Sequence, residues 1–395
     1  MNAPTRHPLH HNLAHPHAFT PLEVEGQLPA GLRGTLYRAG PGIFERFGQR
    51  VRHAFLADGV ISAVRLDGRG GALGAAQPVR SAGYLKEEAA GQFLFGADIS
   101  WGRRILNGLL NRVKHTGNTH IVSWQGRLLA LMEGGFPVQI SDTDLSVLAE
   151  DGMGFIRGPF SAHPHRVVAR KSTYNFGLRY GREMMIDLYA LPDHGPGRHM
   201  GAIRAPWPAM VHDFIATEHH LIFVIAPLKL QVWKAMMGSG DFTGLFQWDA
   251  SEGCMLMMVD IDDPGRVRQI EMDAFWVWHF ANAWCRPDGV TEIEMARYPN
   301  GDSMLHIGEE TDNSQPPLYY RLTVPPAGDP LRWEQLFEQP GDFPRIHPHQ
   351  EGREHRYVWM QMQAPSGNIG LARLDVRTRT AALWTPDTRQ KTSEP

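Results

Sequence analysis

An all-β fold of propeller, barrel or sandwich type is what this 395-residue chain predicts. Two observations carry that expectation. Short runs of β-branched, aromatic and aliphatic residues recur at fairly even spacing, punctuated by the Gly, Pro, Asp and Asn that turns demand. Against them stands one clear stretch of helical period. No composition shift or linker divides the chain, so residues 22–395 read as one large domain behind a flexible arm, residues 1–21, rich in His and Pro.

The elements follow in chain order. Val60–Leu66 runs into Asp67-Gly68, a strand closed by a turn pair. Trp101 to Lys114 places Trp101, Ile105, Leu106, Leu109 and Leu110 on one helical face, with Arg103, Arg104, Arg112 and Lys114 around it. The plain reading is a surface helix packed on the sheets. The sharper one is a helix lying in a membrane interface, apolar side down and basic side toward headgroups. His120–Trp124, Gln125-Gly126 and Arg127–Leu131 form a hairpin with a two-residue turn. Further strands fall at His220–Ala226, Met255–Ile261, Trp284 to Met295 around Pro287-Asp288-Gly289, Leu318–Val324, His355–Met362 and Ile369–Val376. Pro227 to Met237, mixing Leu, Trp and Met with two Lys, is a second amphipathic patch.

Composition narrows the function. With 42% hydrophobic and 21% charged residues the chain can fill a large core and is not disordered. A net charge of -3 excludes the basic footprint of a nucleic-acid binder. Cys254 and Cys285 are the only cysteines, which excludes a disulfide scaffold and a Cys-rich metal site. No run of 18 apolar residues is present and the N-terminus lacks a signal-peptide core, so the expected location is cytoplasmic, with a peripheral position on the inner membrane face left open. Nucleophile elbows, phosphate loops and dinucleotide fingerprints are missing.

What remains is histidine, 20 of them. Three lie in distinctive segments: His163 in Phe160-Ser-Ala-His-Pro-His165, His212 in Met210-Val-His-Asp-Phe214, and His279 in Trp278-His-Phe-Ala-Asn282-Ala283. Taken singly, each reads as a hydrogen-bonded structural residue. Their separation is too wide for a local metal motif and suits ligands delivered from separate blades to a common axis. A cage of neutral imidazoles would serve iron, copper, nickel or zinc.

These segments, with others in the same order, resemble the carotenoid cleavage oxygenase family. Gly26-Gln-Leu-Pro-Ala-Gly-Leu-Arg-Gly34-Thr-Leu-Tyr-Arg38-Ala-Gly-Pro-Gly42 is similar to its opening signature, and His53-Ala-Phe55-Leu-Ala-Asp58-Gly59 to a later one. Lys114-His-Thr-Gly-Asn118-Thr119, Leu129-Ala-Leu-Met-Glu133-Gly-Gly, Phe343-Pro-Arg-Ile346 and Tyr357-Val358 match further landmarks.

The resemblance implies a seven-bladed β-propeller around a ferrous ion held by histidines alone. His163, His212 and His279 match three of the ligands. Glu133 and Asp342 match positions whose carboxylates hydrogen-bond the far N–H of ligand imidazoles, Asp342 standing where Glu is usual. The family continues beyond the stretch like Ser393-Glu394-Pro395 with a fourth ligand His and closing strands. The expectation for this chain is therefore a propeller without its last strands and a site with three of four ligands. His347, His349 and His355 lie upstream of the fourth position and are not assigned to it. His165, His219 and His220 match no ligand and read as surface or core residues.

The implied activity is non-haem Fe(II) dioxygenase cleavage of a C=C bond in a carotenoid or apocarotenoid, with dioxygen and an apolar alkene as partners, no nucleic acid, and peripheral membrane contact through the Trp101–Lys114 helix. A stilbenoid or phenylpropanoid alkene is the alternative substrate class. Stilbene-cleaving members carry a Lys where Met132 stands, and Leu94-Phe-Gly-Ala-Asp98 lacks a Tyr to assist it, so both points disfavour a phenolic substrate. An inactive homologue that only binds an apolar ligand is the non-enzymatic alternative.

Overall fold

The structure is a computed structural model that describes residues 11–51, 54–96, 99–110, 112–231, 234, 243–307, 315–326, 329–364 and 369–386. The chain divides into two compact units, residues 1–162 with 233–242, and residues 163–232 with 243–395.

The first unit holds two four-stranded antiparallel sheets. In one, His17–Pro21 lies outside Ala72–Pro78, which pairs with Asp58–Asp67, which in turn pairs with Arg33–Ile43. So the last five residues of the expected arm form an edge strand. The other sheet runs in sequence through His120–Trp124, Arg127–Leu131, Val138–Ile140 and Val147–Glu150. Its first hairpin forms where the sequence places it. Gln125 and Gly126 have φ of 47° and 76°, the pair of positive angles that matches a two-residue turn to the strand twist. Ile61, Ala63, Leu128, Val138 and Ile140 interlock in a shared core.

Beside that core the unit buries four charges. Arg46 reaches Asp58 at 3.2 Å and Glu87 at 3.1 Å, and Lys114 reaches the same two carboxylates at 2.8 and 2.9 Å. Two cations against two anions leave no net buried charge, the condition under which such burial is tolerable. Glu87 arrives on the helix Ala82–Ala90, whose first turn is capped by Ser81 accepting from the Tyr84 N–H at 3.2 Å. The cluster also explains a departure from expectation. The amphipathic helix spans Trp101–Leu109, and residues 112–114 are not helical. Lys114 turns inward to Asp58 and Glu87 instead of continuing the basic face.

The second unit holds four sheets, each a run of consecutive antiparallel neighbours except where noted. The first comprises His165–Val167, Ser172–Arg179, Met185–Pro192 and Arg198–Arg204. In the next, Ile215–Ala216 and His220–Ile225 are followed by Cys254–Asp260 and Val267–Met272, with the ribbon Leu228–Leu230 and Phe246–Trp248 set between them in sequence. The remaining two are Trp276–Cys285, Thr291–Tyr298, Leu318–Val324 and Arg332–Gln335, then Gly341–Arg345, Tyr357–Gln363, Ile369–Asp375 and Thr380–Trp384. Phe176, Phe214 and Phe223 pack ring against ring at 5.3–5.4 Å in one core, and Tyr319, Val358, Met360 and Leu374 fill another. Cys254 and Cys285 are both free.

These sheets are propeller blades, and there are six of them among the described residues, two in the first unit and four in the second. The seven blades expected from the resemblance are corrected to six. Among the described residues the remaining sheets are Glu45–Arg46 with Gln49–Arg50 and the Leu228–Leu230 ribbon, strands of two or three residues in two-stranded sheets. Two such strands cannot bury a face of their own, so neither makes a blade.

Candidate metal centre

The second unit brings His163, His212 and His279 together. One nitrogen from each lies within 4.8 Å of the others. The ring centroids stand 4.3 Å apart for His163 and His212, 5.4 Å for His163 and His279, and 5.2 Å for His212 and His279. Nε2 of His212 faces Nε2 of His279 at 3.4 Å.

Each histidine is aimed by a local irregularity. His163 precedes the strand His165–Val167, and His212 sits in the irregular segment before Ile215–Ala216. His279 is inside the strand Trp276–Cys285, at a bulge. Val277 pairs with Arg297 and Phe280 with Met295, which leaves Trp278 and His279 opposite Ala296 alone. A bulge re-aims side chains, and here it turns His279 out of the ladder's alternation.

Asp342 fixes the state of His279. Its Oδ1 accepts from His279 Nδ1 at 3.0 Å, and its Oδ2 accepts from the Tyr298 hydroxyl at 2.7 Å. A carboxylate accepts only, so Nδ1 carries the hydrogen, and the neutral ring then has its Nε2 lone pair available on the side of the other two imidazoles. Phe343 takes a φ of 55° and its ring lies 4.5 Å from the His279 ring. Neighbouring strand residues ordinarily face opposite ways. The left-handed residue breaks that rule, so that Asp342 and Phe343 both meet His279.

Asp213, next to His212, is a second carboxylate near the histidines and, unlike the half-buried Asp342, is buried. Oδ1 accepts from His165 Nε2 at 2.8 Å and from the Phe214 N–H at 2.8 Å, and Oδ2 accepts from the Phe280 N–H at 2.9 Å. Burial pushes its carboxyl upward, but the His165 imidazole and these hydrogen bonds outweigh burial and hold it below the usual carboxylate range. Trp278 packs edge-on against His212 at 4.6 Å and donates its indole N–H to Ser303 Oγ at 2.8 Å.

Of the residues singled out in the sequence, His163, His212, His279 and Asp342 therefore share one site. Glu133 is half-buried in the first unit, in the loop after Arg127–Leu131, and its pairing with a ligand imidazole stays with the resemblance. Met132, beside it, turns its sulfur to the Thr116 N–H at 3.2 Å. On the Trp101–Leu109 helix, Trp101 and Leu106 are exposed, as is Leu110 just past its end, and Ile105 is half-buried; the Leu109 side chain lies outside the described residues. Within the Pro227–Met237 patch, residues 232, 233 and 235–237 also lie outside them, as do Ala97 and Asp98.

Four participants have no role in the sequence reading: Tyr298, which it does not single out, Phe343 and Asp213, which stand in quoted segments, and His165, expected only as a surface or core residue. His355 joins none of this. It is buried with Nε2 3.2 Å from Glu294 Oε2, and its Nδ1 accepts from Asn282 Nδ2 at 3.0 Å. Glu294 also accepts from Arg321 Nη2 at 2.6 Å, so the cluster is a neutralised knot between strands.

Three convergent imidazoles, one with its lone pair set by a carboxylate, are a donor set for a first-row divalent metal ion. No helix among the described residues is long and apolar enough to cross a membrane.

Residues 10–395 match the family model of the retinal pigment epithelial membrane protein. Apocarotenoid-15,15'-oxygenase of Synechocystis sp. is 29% identical over 358 residues, covering 86% of this chain and 72% of that protein. Resveratrol cleavage oxygenase 1 of Chaetomium globosum is 31% identical over 242 residues, 58% of this chain and 39% of that one. A solved structure of cobalt-substituted Synechocystis ACO superposes with a TM-score of 0.83 at 28% identity, covering 92% of this chain and 80% of its own. Both named relatives are oxygenases.

Proposed function

The chain belongs to the retinal pigment epithelial membrane protein family, and from that premise we propose that it is a non-haem Fe(II) dioxygenase cleaving one C=C bond of an apocarotenoid. The observation that carries the proposal is the convergence of His163, His212 and His279 with His279 Nδ1 tied to Asp342. One alkene and one dioxygen give two carbonyl fragments, so both oxygen atoms are accounted for and no further reductant is needed. Bound ferrous iron supplies the one-electron chemistry that lets triplet dioxygen react with a closed-shell alkene.

The chain's own residues supply the rest. His163, His212 and His279 would hold the ion without adding charge, and Asp342, bound to His279 Nδ1, would leave Nε2 free to serve as the donor. Phe343 and Trp278, packed against His279 and His212, line those imidazoles with apolar surface, which suits a polyene with few polar handles. The exposed Trp101, Leu106 and Leu110 form the surface through which a lipid-dissolved substrate would be collected.

A phenolic alkene is the competing substrate, since one relative is a resveratrol cleavage oxygenase. Met132 opposes it here, because a thioether turned to Thr116 cannot stabilise a phenolate. The deciding experiment incubates the Fe(II)-loaded chain aerobically with an apocarotenal or with resveratrol and identifies products by mass spectrometry. Paired aldehydes from the apocarotenal alone are expected. Cleavage of resveratrol alone would overturn the substrate class, and no cleavage of either would overturn the activity.

A further inference from the structure

Three separate stretches of chain deliver the three histidines, and a single carboxylate touches all three stretches. Asp213 is covalently next to His212. Its Oδ2 takes the Phe280 N–H at 2.9 Å, which belongs to the peptide group immediately after His279. Its Oδ1 takes His165 Nε2 at 2.8 Å, and His165 is joined to His163 through Pro164 alone. Proline fixes its own φ, which removes one of the backbone freedoms between the two histidines. The carboxylate is almost wholly buried, where charge-assisted hydrogen bonds are strongest and a lost partner is costly.

We infer that Asp213 is the positioning residue that holds the three imidazoles in register, reaching His279 through the Phe280 N–H and His163 through His165. This rests on the metal-site reading above. Asp342 orients one ring, whereas Asp213 sets where three backbones stand relative to one another. An Asn at 213 has one accepting oxygen. If that oxygen keeps His165 and Phe214, the amide N–H₂ faces the Phe280 N–H and that tie is broken. His165 is the second lever, because its ring touches Asp213 and Phe214 and is not part of the three-histidine cluster.

The test titrates the full apo chain with Co(II), reading affinity by equilibrium dialysis and coordination by visible absorption. Asp213→Asn is expected to weaken binding by about 10–100-fold with altered bands, the range seen when partners of metal ligands are removed. His165→Phe is expected to weaken it several-fold, and His165→Gln, whose amide still donates to Asp213, to restore much of the loss. Asp187→Asn is the control for general damage: that buried carboxylate binds His199 and Arg179, and its loss should lower the urea midpoint without changing Co(II) affinity. Binding within twofold of the parent, with the parent's spectrum, in both Asp213→Asn and His165→Phe would overturn the inference. If Asp213→Asn does not fold, the two His165 variants decide on the same criterion. A parent chain that binds no Co(II) would instead overturn the metal-site reading, an outcome read from a different sample.

Discussion

Tyr298 donates its hydroxyl hydrogen to Asp342 Oδ2 at 2.7 Å while Oδ1 of the same carboxylate holds His279 at 3.0 Å. A short side chain thus acts at a distance because a tyrosine on the strand Thr291–Tyr298 pins its far oxygen. Tyr298→Phe should weaken divalent-metal affinity by about three- to tenfold, and Asp342→Asn by about 10–100-fold because it releases a ligand directly. Equilibrium dialysis checks both. Equal affinities in Tyr298→Phe and the parent would show that Asp342 needs no anchor.

Metal should stabilise the fold. At about 100 times Kd a ligand that binds only the folded state contributes about 2.7 kcal/mol. The urea midpoint of the parent should rise on adding Fe(II) anaerobically and fall back with chelator. His212→Ala should show no such rise, and an equal rise in that variant would locate the stabilising metal elsewhere.

His115 gives a pH dependence. It is buried in the first unit, neither ring nitrogen has a hydrogen-bond partner among the described residues, and burial pushes its pKa down to about 3. In the unfolded chain the imidazole protonates near its ordinary value of about 6.5. Between those two values the unfolded chain binds the extra proton, so stability falls as pH drops through that window, by at most about 1.4 kcal/mol per unit. Urea melts at pH 7, 6 and 5 should show a shallower decline for His115→Leu than for the parent. Parallel declines would mean the buried ring is not what titrates.

Phe223 is fully buried, stacked on Phe214 and edge-on to Phe176. Phe223→Ala should cost about 3–5 kcal/mol, the lost transfer energy plus the cavity. The midpoint in urea should move with the slope unchanged. A loss below about 1 kcal/mol would mean the sheets close over the gap.

The exposed apolar residues at and beside the Trp101–Leu109 helix make a surface prediction. Replacing Trp101, Leu106 and Leu110 together by Ser should cut binding to phospholipid vesicles at least about tenfold, since each apolar side chain taken from water contributes about 1.5–3 kcal/mol. The urea midpoint should barely move, because substitutions at exposed positions usually change stability by about 0.5 kcal/mol or less. Unchanged cosedimentation would assign the patch another role.

Local chemistry made much of the fold readable. Gln125-Gly126 and Pro287-Asp288-Gly289 mark hairpins because positive φ and proline constraints act within a few residues, and Leu318–Val324 matches its observed strand end to end. The three histidines set apart by their segments lie together among the described residues. Blade number was not readable, because it came from a resemblance and not from counting strands. Nor were Tyr298 and Asp213: their partners lie 44 and 67 residues away for Asp342 and Phe280, and an acid or a tyrosine on a strand carries no sign of what it will meet. Lys114 misled outright, since a cation after an amphipathic run reads as helix surface until Asp58 and Glu87 claim it.

The order of strands also bears on how the chain is made. In most of the blades each strand pairs with the one just synthesised, so those sheets can close as they leave the ribosome, with little chain to search. The blade interrupted by the Leu228–Leu230 ribbon departs a little from this order, and the first blade departs most. His17–Pro21 must wait for Ala72–Pro78 before it has a partner. Within its sheet that strand is the first to emerge and the last to be paired, which leaves its edge open longest of the four and makes it a segment on which early misassembly would start.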